Sequence, residues 1–269
     1  MAEKTTPAPV PAAQLVAYET HEERVQAMER DGFVYFSGVL DAAAIEQLRA
    51  CSDRIRTIMV EGREGIGAKG ERNIQNAFNR DPLYLAFLDK PGVIELVEGV
   101  LGTDCHIIQM TQWNTGNRTE QNMHTDWKPI HLPAEVAADP RVHIPALIAT
   151  AHFYLDDIYE ALGPTRVIPG SHRAGDSPAP QSRAWNGVPE QSILCKAGDV
   201  VVFRSDLWHC GGANCTDQVR YLLQVHYANR WIAQRFIPFM DFRFDADILA
   251  RATSRQRRLL GEHRPGPFA

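Results

Sequence analysis

The chain of 269 residues is poor in cysteine, in excess positive charge and in long apolar runs. Its five cysteines, Cys51, Cys105, Cys195, Cys210 and Cys215, are odd in number, and no two are spaced Cys-x-x-Cys. That argues against a disulfide framework and fits a reducing, cytoplasmic compartment. Cys210 adjoins His209 and on a strand would point the opposite way, which counts against it as a metal ligand. Lys and Arg number 28 against 33 Asp and Glu, for a net charge of -5. The chain therefore lacks a basic field for nucleic acid or an anionic membrane, and neither is expected as a partner. No apolar run approaches the roughly 18–20 residues that span a bilayer. The N-terminus, rich in Pro and Ala, lacks a positive start followed by an apolar stretch, so it reads as a flexible leader and not a signal peptide. There is no internal repeat.

What is present is an ordinary globular composition, 44% apolar and 23% charged, long enough for one large domain. Residues 1–14 read as a disordered leader and 15–269 as a single domain. Within it, 15–105 is a mainly helical part, 106–230 a β-rich part and 231–269 a C-terminal helix and tail. Glu19 to Arg30 favours helix, and Gly32 to Phe36 reads as a first strand. Asp41 caps an amphipathic helix over 41–59, where Ile45, Leu48, Cys51, Ile55 and Ile58 recur every three or four residues. That face reads as core-packing and not as a dimer contact; the oligomeric state is not legible. A glycine-rich loop (61–71), a short strand near Asn73 to Phe78 and two short helices split by Lys90-Pro91 follow.

From His106 the texture changes to short β runs broken by Gly-Pro and Pro-Gly pairs. Strands are expected at 106–114, 119–126, 147–155, 165–168, 192–195, 200–204, 206–210 and 219–228. Helices first and many short strands after them suggest a mainly β fold, a barrel or sandwich, with flanking helices. Two long connections, Trp127 to Pro145 and Arg173 to Glu190, are candidate lids. Phe244 onward reads as one basic helix and tail.

The chemistry gathers on three residues. His124 and Asp126 stand two apart, so on a strand both side chains face one side while Thr125 faces the other. Ten histidines make a chance His-x-Asp pair common, and the weight comes from the second half of the chain. There His209 follows a turn and strand at Lys196 to Phe203. Arg220 follows His209 by eleven residues, inside an apolar run. Arg220, Leu222, Gln224 and His226 alternate onto one face. Two imidazoles and a carboxylate suit a divalent metal of intermediate softness and leave positions open for co-substrate and dioxygen. An arginine at an inward position is costly unless an anion meets it.

These motifs, with Arg30-Asp-Gly-Phe-Val-Tyr-Phe and the stretch Gly163-Pro-Thr-Arg-Val-Ile-Pro-Gly-Ser-His-Arg173, resemble the phytanoyl-CoA dioxygenase family of iron(II)/2-oxoglutarate oxygenases. The resemblance covers about residues 22 to 230. It implies a double-stranded β-helix, a jelly-roll or cupin-like barrel flanked by helices. It implies His124, Asp126 and His209 as ligands of Fe(II), and Arg220 as the anchor of the far carboxylate of 2-oxoglutarate, with O2 as the oxidant. Gln109 and His152 match places where relatives contact 2-oxoglutarate. Many relatives carry Ser or Thr two residues after the distal histidine; this chain has Gly211, so that hydrogen bond is missing or comes from elsewhere, His152 being one source. His172, in Gly-Ser-His, reads as structural, holding the turn. Asp126 fills the position that halogenating relatives leave small, which favours hydroxylation or another two-electron oxidation.

The substrate is expected to be a small or medium metabolite, as in natural-product tailoring. Trp113, Trp127, His131 and Trp208 are candidates for an apolar pocket, with Gln224 on the inward face. Asn73 and Gln75 lie near where some relatives place a co-substrate lysine. The absence of a basic cluster argues against a coenzyme A thioester. Desaturation, epoxidation and peroxide or ring formation fit the same motifs. Two readings of another class remain open: a zinc hydrolase on the same ligands, against which Arg220 counts, and a non-catalytic metal-binding jelly-roll module.

Overall fold

The computed structural model describes residues 10–55 and 72–264. The loop expected at 61–71 lies outside them, as does the end of the helix expected to reach 59. The first helix, α1 (His21–Arg30), opens on a capping box: the Thr20 hydroxyl accepts from the Glu23 N–H, and the Glu23 carboxylate accepts from the Thr20 N–H. After the turn at Gly32 comes β1 (Phe33–Phe36). The Asp41 side chain caps α2 (Ala42–Arg54), which buries Leu48 and Cys51. Then follow β2 (Arg72–Gln75), a 3₁₀ turn at Ala77–Asn79, a 3₁₀ helix at Pro82–Phe87 and α3 (Val93–Leu101), which ends at Gly102.

The remaining strands are β3 (His106–Thr115), β4 (Ile148–Tyr154), β5 (Thr165–Val167), β6 (Ala184–Trp185), β7 (Val188–Pro189), β8 (Gln191–Ser192), β9 (Val200–Arg204), β10 (His209–Gly211) and β11 (Arg220–Ala228). One turn of helix, α4 (Ala134–Ala137), precedes β4. The fold is mainly β, and its named strands pair antiparallel. Six form a large sheet in the order β1-β9-β4-β11-β3-β2, and three form a small one, β10-β5-β8. The two-residue strands β6 and β7 form a separate ribbon.

Strand periodicity divides the large sheet into two working faces. Val200 and Val202 of β9, Ala149, Ala151 and Phe153 of β4, and Leu223, Val225 and Tyr227 of β11 pack with the helical residues Met28, Leu48, Ile94 and Val97. Their neighbours Val201, Phe203, Tyr154 and Leu222 turn the other way and meet Val167 of the second sheet and Ile193 just beyond β8. His152, Arg220 and Gln224 belong to this second face. The helices thus seal one side of the sheet, and the polar alternate positions are left to the space beside the small sheet.

Three expectations are corrected. Residues 119–126 form no strand: His124 makes an isolated bridge to His209 and Arg118 one to Asn214. The partner strand β10 is only three residues long, so an eight-residue ladder has nothing to pair with. The C-terminal region is not one helix. It is split into α5 (Ala246–Arg251) and α6 (Ser254–Leu259), because Thr253 turns extended and, with Gln256, makes a fresh capping box. The leader is not free to residue 14: the Pro11 carbonyl and the Ala13 N–H are hydrogen-bonded to the backbone of Ser192.

Candidate metal centre

His124 and His209 are brought together by their main chains. Each N–H donates to the other's carbonyl at 2.9 Å, which sets the two rings 4.5 Å apart between centroids. Two residues on, the Asp126 N–H donates to the Ser205 carbonyl at 3.0 Å, which carries its carboxylate to the same place. Among the described residues these three are the one group of His, Cys, Asp or Glu side chains able to hold a metal ion, with ligand atoms within 4.8 Å of one another. Asp126 Oδ1 lies 3.5 Å from His209 Nε2 and 3.9 Å from His124 Nε2.

Both rings are oriented through their other nitrogen. His124 Nδ1 donates to the Asn122 carbonyl at 2.7 Å and His209 Nδ1 to the Leu207 carbonyl at 2.9 Å. That leaves both Nε2 lone pairs facing Asp126, as ligating imidazoles require. Burial disfavours charge on Asp126, yet the imidazoles of His209, His226 and His124 hold its carboxyl well below the ordinary carboxylate range. Burial likewise opposes charge on His209, and the Asp126 carboxylate outweighs it and raises the imidazole. On His124, burial and then His209 lower it. The Gly-Ser-His stretch supports the turn before His209: Ser171 Oγ accepts from the Trp208 N–H at 2.9 Å, and His172 Nε2 donates to the Glu29 carbonyl at 3.0 Å.

A cavity of about 130 Å³ opens beside the triad. Its wall includes Trp113, His152, Thr165, Arg220, Leu222 and Gln224. Arg220 is 9% exposed, and its Nε is buried without a hydrogen-bond partner. Among the described residues it makes no ion pair, and burial lowers its pKa. A buried guanidinium with an unpaired Nε is costly unless an anion meets it, and a carboxylate entering the cavity would supply one.

The other residues singled out from the sequence fall in different places. Trp113 and Gln224 line the cavity and are hydrogen-bonded to each other, Nε1 to Oε1, at 2.8 Å. His152 lines it too, with both ring nitrogens engaged by Gln224 and Thr165. Gln109, Gln75 and Asn73 are joined in a polar ladder across β2 and β3, outside the cavity lining. Trp127 packs edge-on to His226, with the Arg235 guanidinium 5.6 Å from its ring. Trp208 belongs to a small apolar cluster with Met123, Ile168 and Cys210. His131 is exposed on the loop after Trp127. Of the two long connections, the second touches the metal segment, where Met123 N–H donates to the Pro180 carbonyl and Thr125 Oγ1 meets Ser177 Oγ at 3.2 Å.

Sequence reasoning passed over Arg118, Gln121 and Thr165, which line the same cavity. Gln121 Oε1 accepts from the Gly211 N–H at 2.9 Å, and a Cβ at Gly211 would lie 2.8 Å from that oxygen. The amide of Gln121 thus stands over the position where a hydroxyl side chain was missed. The mistaken strand at 119–126 hid Gln121, Arg118 fell between that strand and the one expected at 106–114, and Thr165 lay unremarked inside the Gly-Pro-Thr-Arg stretch.

The chain also resembles known proteins. The model of the family described as phytanoyl-CoA dioxygenase (PhyH) matches residues 28–222. The chain belongs to that family. Membership makes it an iron(II)- and 2-oxoglutarate-dependent dioxygenase. An uncharacterized Mycobacterium tuberculosis protein, Rv1501, is 28% identical over 91% of this chain and 89% of its own. Among solved structures, the epimerase SnoN in complex with Fe3+, alpha-ketoglutarate and nogalamycin RO superposes with a TM-score of 0.60. It is 22% identical, over 83% of this chain and 90% of SnoN. HygX from Streptomyces hygroscopicus, with nickel, 2-oxoglutarate and hygromycin B bound, gives 0.61 at 16% identity, over 79% of this chain and 88% of HygX. These two likenesses speak for the fold.

Proposed function

We propose that this PhyH-family enzyme hydroxylates an aliphatic C–H of a small or medium metabolite, as in natural-product tailoring. The two main sheets are read as the halves of a double-stranded β-helix. The observation that carries the proposal is the joint presence, in one cavity, of a two-histidine, one-carboxylate face and a buried guanidinium whose Nε has no hydrogen-bond partner. The donor set fits iron: two nitrogens and one oxygen on one side, with no fourth protein ligand to close a structural zinc site among the described residues.

His124 and His209 would hold the metal through Nε2, with their Nδ1 hydrogen bonds fixing the rings, and Asp126 through Oδ1. Arg220 would hold the far carboxylate of 2-oxoglutarate in a charge-assisted pair. Iron, 2-oxoglutarate and O2 together supply the two-electron oxidant that turns C–H into C–OH, with release of succinate and CO2. The protein contributes position and dryness. Leu222 lines the cavity, and the Phe203 and His209 ring centroids lie 4.8 Å apart. Asp126 occupies the place a halide would need, which favours hydroxylation over halogenation. The bound small molecules named for SnoN and HygX support a metabolite-sized substrate. No described helix is long and apolar enough to cross a membrane.

The test is anaerobic reconstitution with Fe(II) and 2-oxoglutarate, followed by the weak visible charge-transfer band of a chelated keto acid. A band, and substrate-dependent succinate release on admitting O2, are the expected results. Zinc retained through purification with no band would move the assignment to a hydrolase or a binding module.

A further inference from the structure

The cavity beside the triad is small for a reaction with two organic partners. Its volume of about 130 Å³ falls below the roughly 300–1,000 Å³ of a pocket that encloses a metabolite-sized ligand, so a substrate has to lie across the mouth. The mouth can be identified by exposure. Of the lining residues only Arg118 and Gln121 are exposed, and both stand on the loop after β3. That loop is fastened to β10 and the turn beyond it. The Arg118 N–H donates to the Asn214 carbonyl at 3.0 Å, and the Gln121 N–H to the Gly211 carbonyl at 2.9 Å. Asn214 is 1% exposed, and its side-chain amide donates to the Thr115 and Gln218 carbonyls. The backbone of the mouth is therefore set before any ligand arrives.

What the mouth offers is hydrogen-bond donors and positive charge. Gln121 Oε1 accepts from the Gly211 N–H, and only the oxygen of the amide can do so, which leaves Nε2 as the free end. Among the described residues neither Gln121 Nε2 nor the Arg118 guanidinium has a hydrogen-bond or ion-pair partner. The acid between them in sequence, Glu120, is already taken by Arg166 and Arg183. In the loaded site iron(II) and the two carboxylates of 2-oxoglutarate cancel, Asp126 offsets Arg220, and the charge of Arg118 is left over. A guanidinium and an amide NH2 accept nothing and donate to a charged group with two oxygens. We infer that the substrate is an acid, and that Arg118 and the Gln121 amide hold its carboxylate at the mouth while the carbon to be oxidised points toward the triad.

The inference rests on the function proposed above and narrows its substrate class. Arg118 and Gln121 become specificity-determining residues, separate from the arginine proposed for the co-substrate. The two guanidiniums differ in depth: Arg220 is 9% exposed, whereas Arg118 is open to solvent and meets what arrives from it. They also repel each other. Burial is the main cause that lowers the Arg220 pKa, and the charge of Arg118 adds to it, so each arginine gains from an anion of its own.

The test uses protein loaded with 2-oxoglutarate and Mn(II), which broadens the proton NMR lines of molecules held near it, with Zn(II)-loaded protein as the diamagnetic blank. The probes are short and medium-chain carboxylic acids, each paired with its primary amide. In wild type the best acids should bind roughly fivefold more tightly than their amides, the upper end for an exposed ion pair, and the margin should shrink at high salt. Arg118→Lys should keep part of the margin and Arg118→Gln should lose it. Gln121→Glu, which can still accept from Gly211 and adds a negative charge, should reverse it; this variant carries the test if an Arg118 variant does not fold. No acid margin in wild type, or a margin unchanged in Arg118→Gln and Gln121→Glu, overturns the inference. So does an Arg118→Gln protein that loses as much affinity for 2-oxoglutarate, titrated by the charge-transfer band with Fe(II), as for the acids, because Arg118 would then belong to the co-substrate. A wild type with no such band overturns the function proposed above as well.

Discussion

Gly32 and His172 are in contact across the fold: a Cβ built on Gly32 would lie 2.8 Å from His172 Nδ1 and 2.7 Å from Leu207 Cδ1. Gly32 also has a φ of +86°, which an L side chain rarely adopts. Its carbonyl accepts from the Arg204 N–H at 2.9 Å, so the turn before β1 is pinned to the end of β9. Gly32→Ala combines backbone strain with overpacking and should lose about 2–4 kcal/mol of stability. Denaturant unfolding checks this, and a change below about 0.5 kcal/mol would show that the contact yields freely.

His172 itself predicts an acid sensitivity. Burial, with Arg204 adding to it, pushes its imidazole down to about 4 in the folded protein. The unfolded chain takes up this proton near pH 6.5 and the folded protein only near pH 4, so the unfolded state binds more protons between those values. Stability is therefore full above about pH 6.5 and falls as pH drops toward 4, by up to about 3 kcal/mol from this group. Chemical denaturation of His172→Gln, whose amide can still donate to Glu29, should show a smaller loss over the same window. Parallel curves for the two proteins would remove His172 as the cause.

Arg220 sets binding against stability. Its buried Nε lacks a partner, so replacing the side chain with Met should stabilise the ligand-free protein by about 1–3 kcal/mol. The same change should raise the apparent KM for 2-oxoglutarate by roughly thirtyfold or more, because the carboxylate loses its charged partner. Thermal melts with and without 2-oxoglutarate separate the two effects. Wild type should gain Tm on adding the ligand and Arg220→Met should gain little. A destabilised Arg220→Met with an unchanged KM would mean that the arginine is structural.

The triad predicts how metal removal behaves. His124 and His209 are joined by two backbone hydrogen bonds that do not depend on a metal, so the chelated protein should keep its fold while losing activity. Asp126→Ala should abolish substrate-dependent succinate formation and the charge-transfer band, with a circular dichroism spectrum like that of wild type. Full turnover in Asp126→Ala would refute the ligand assignment.

Much of this was legible before folding. The alternation of Arg220, Leu222, Gln224 and His226 against Tyr221, Leu223, Val225 and Tyr227 follows from the period of a strand, and the large sheet has those two faces. Asp41 and Gly102 marked helix ends because caps and left-handed turns are local chemistry. The three candidate ligands and the inward arginine were equally readable, since a chain can be searched for donors and for a charge where none is tolerated.

Other features came from contacts between distant segments, which no local pattern encodes. His124 and Asp126 converge without a strand, because the short β10 offers one bridge and Ser205 a further carbonyl. Trp208 looked like a pocket residue and is core, since its indole N–H finds the Asp176 carbonyl. Arg118, Gln121 and Thr165 are ordinary in sequence and meet only when β5, β10 and the loop after β3 close on one cavity. Residue chemistry and local periodicity are properties of the chain itself, and they settled which groups this protein has and which way its strands face. Packing and hydrogen-bond completion over long separations settled which of those groups share the cavity.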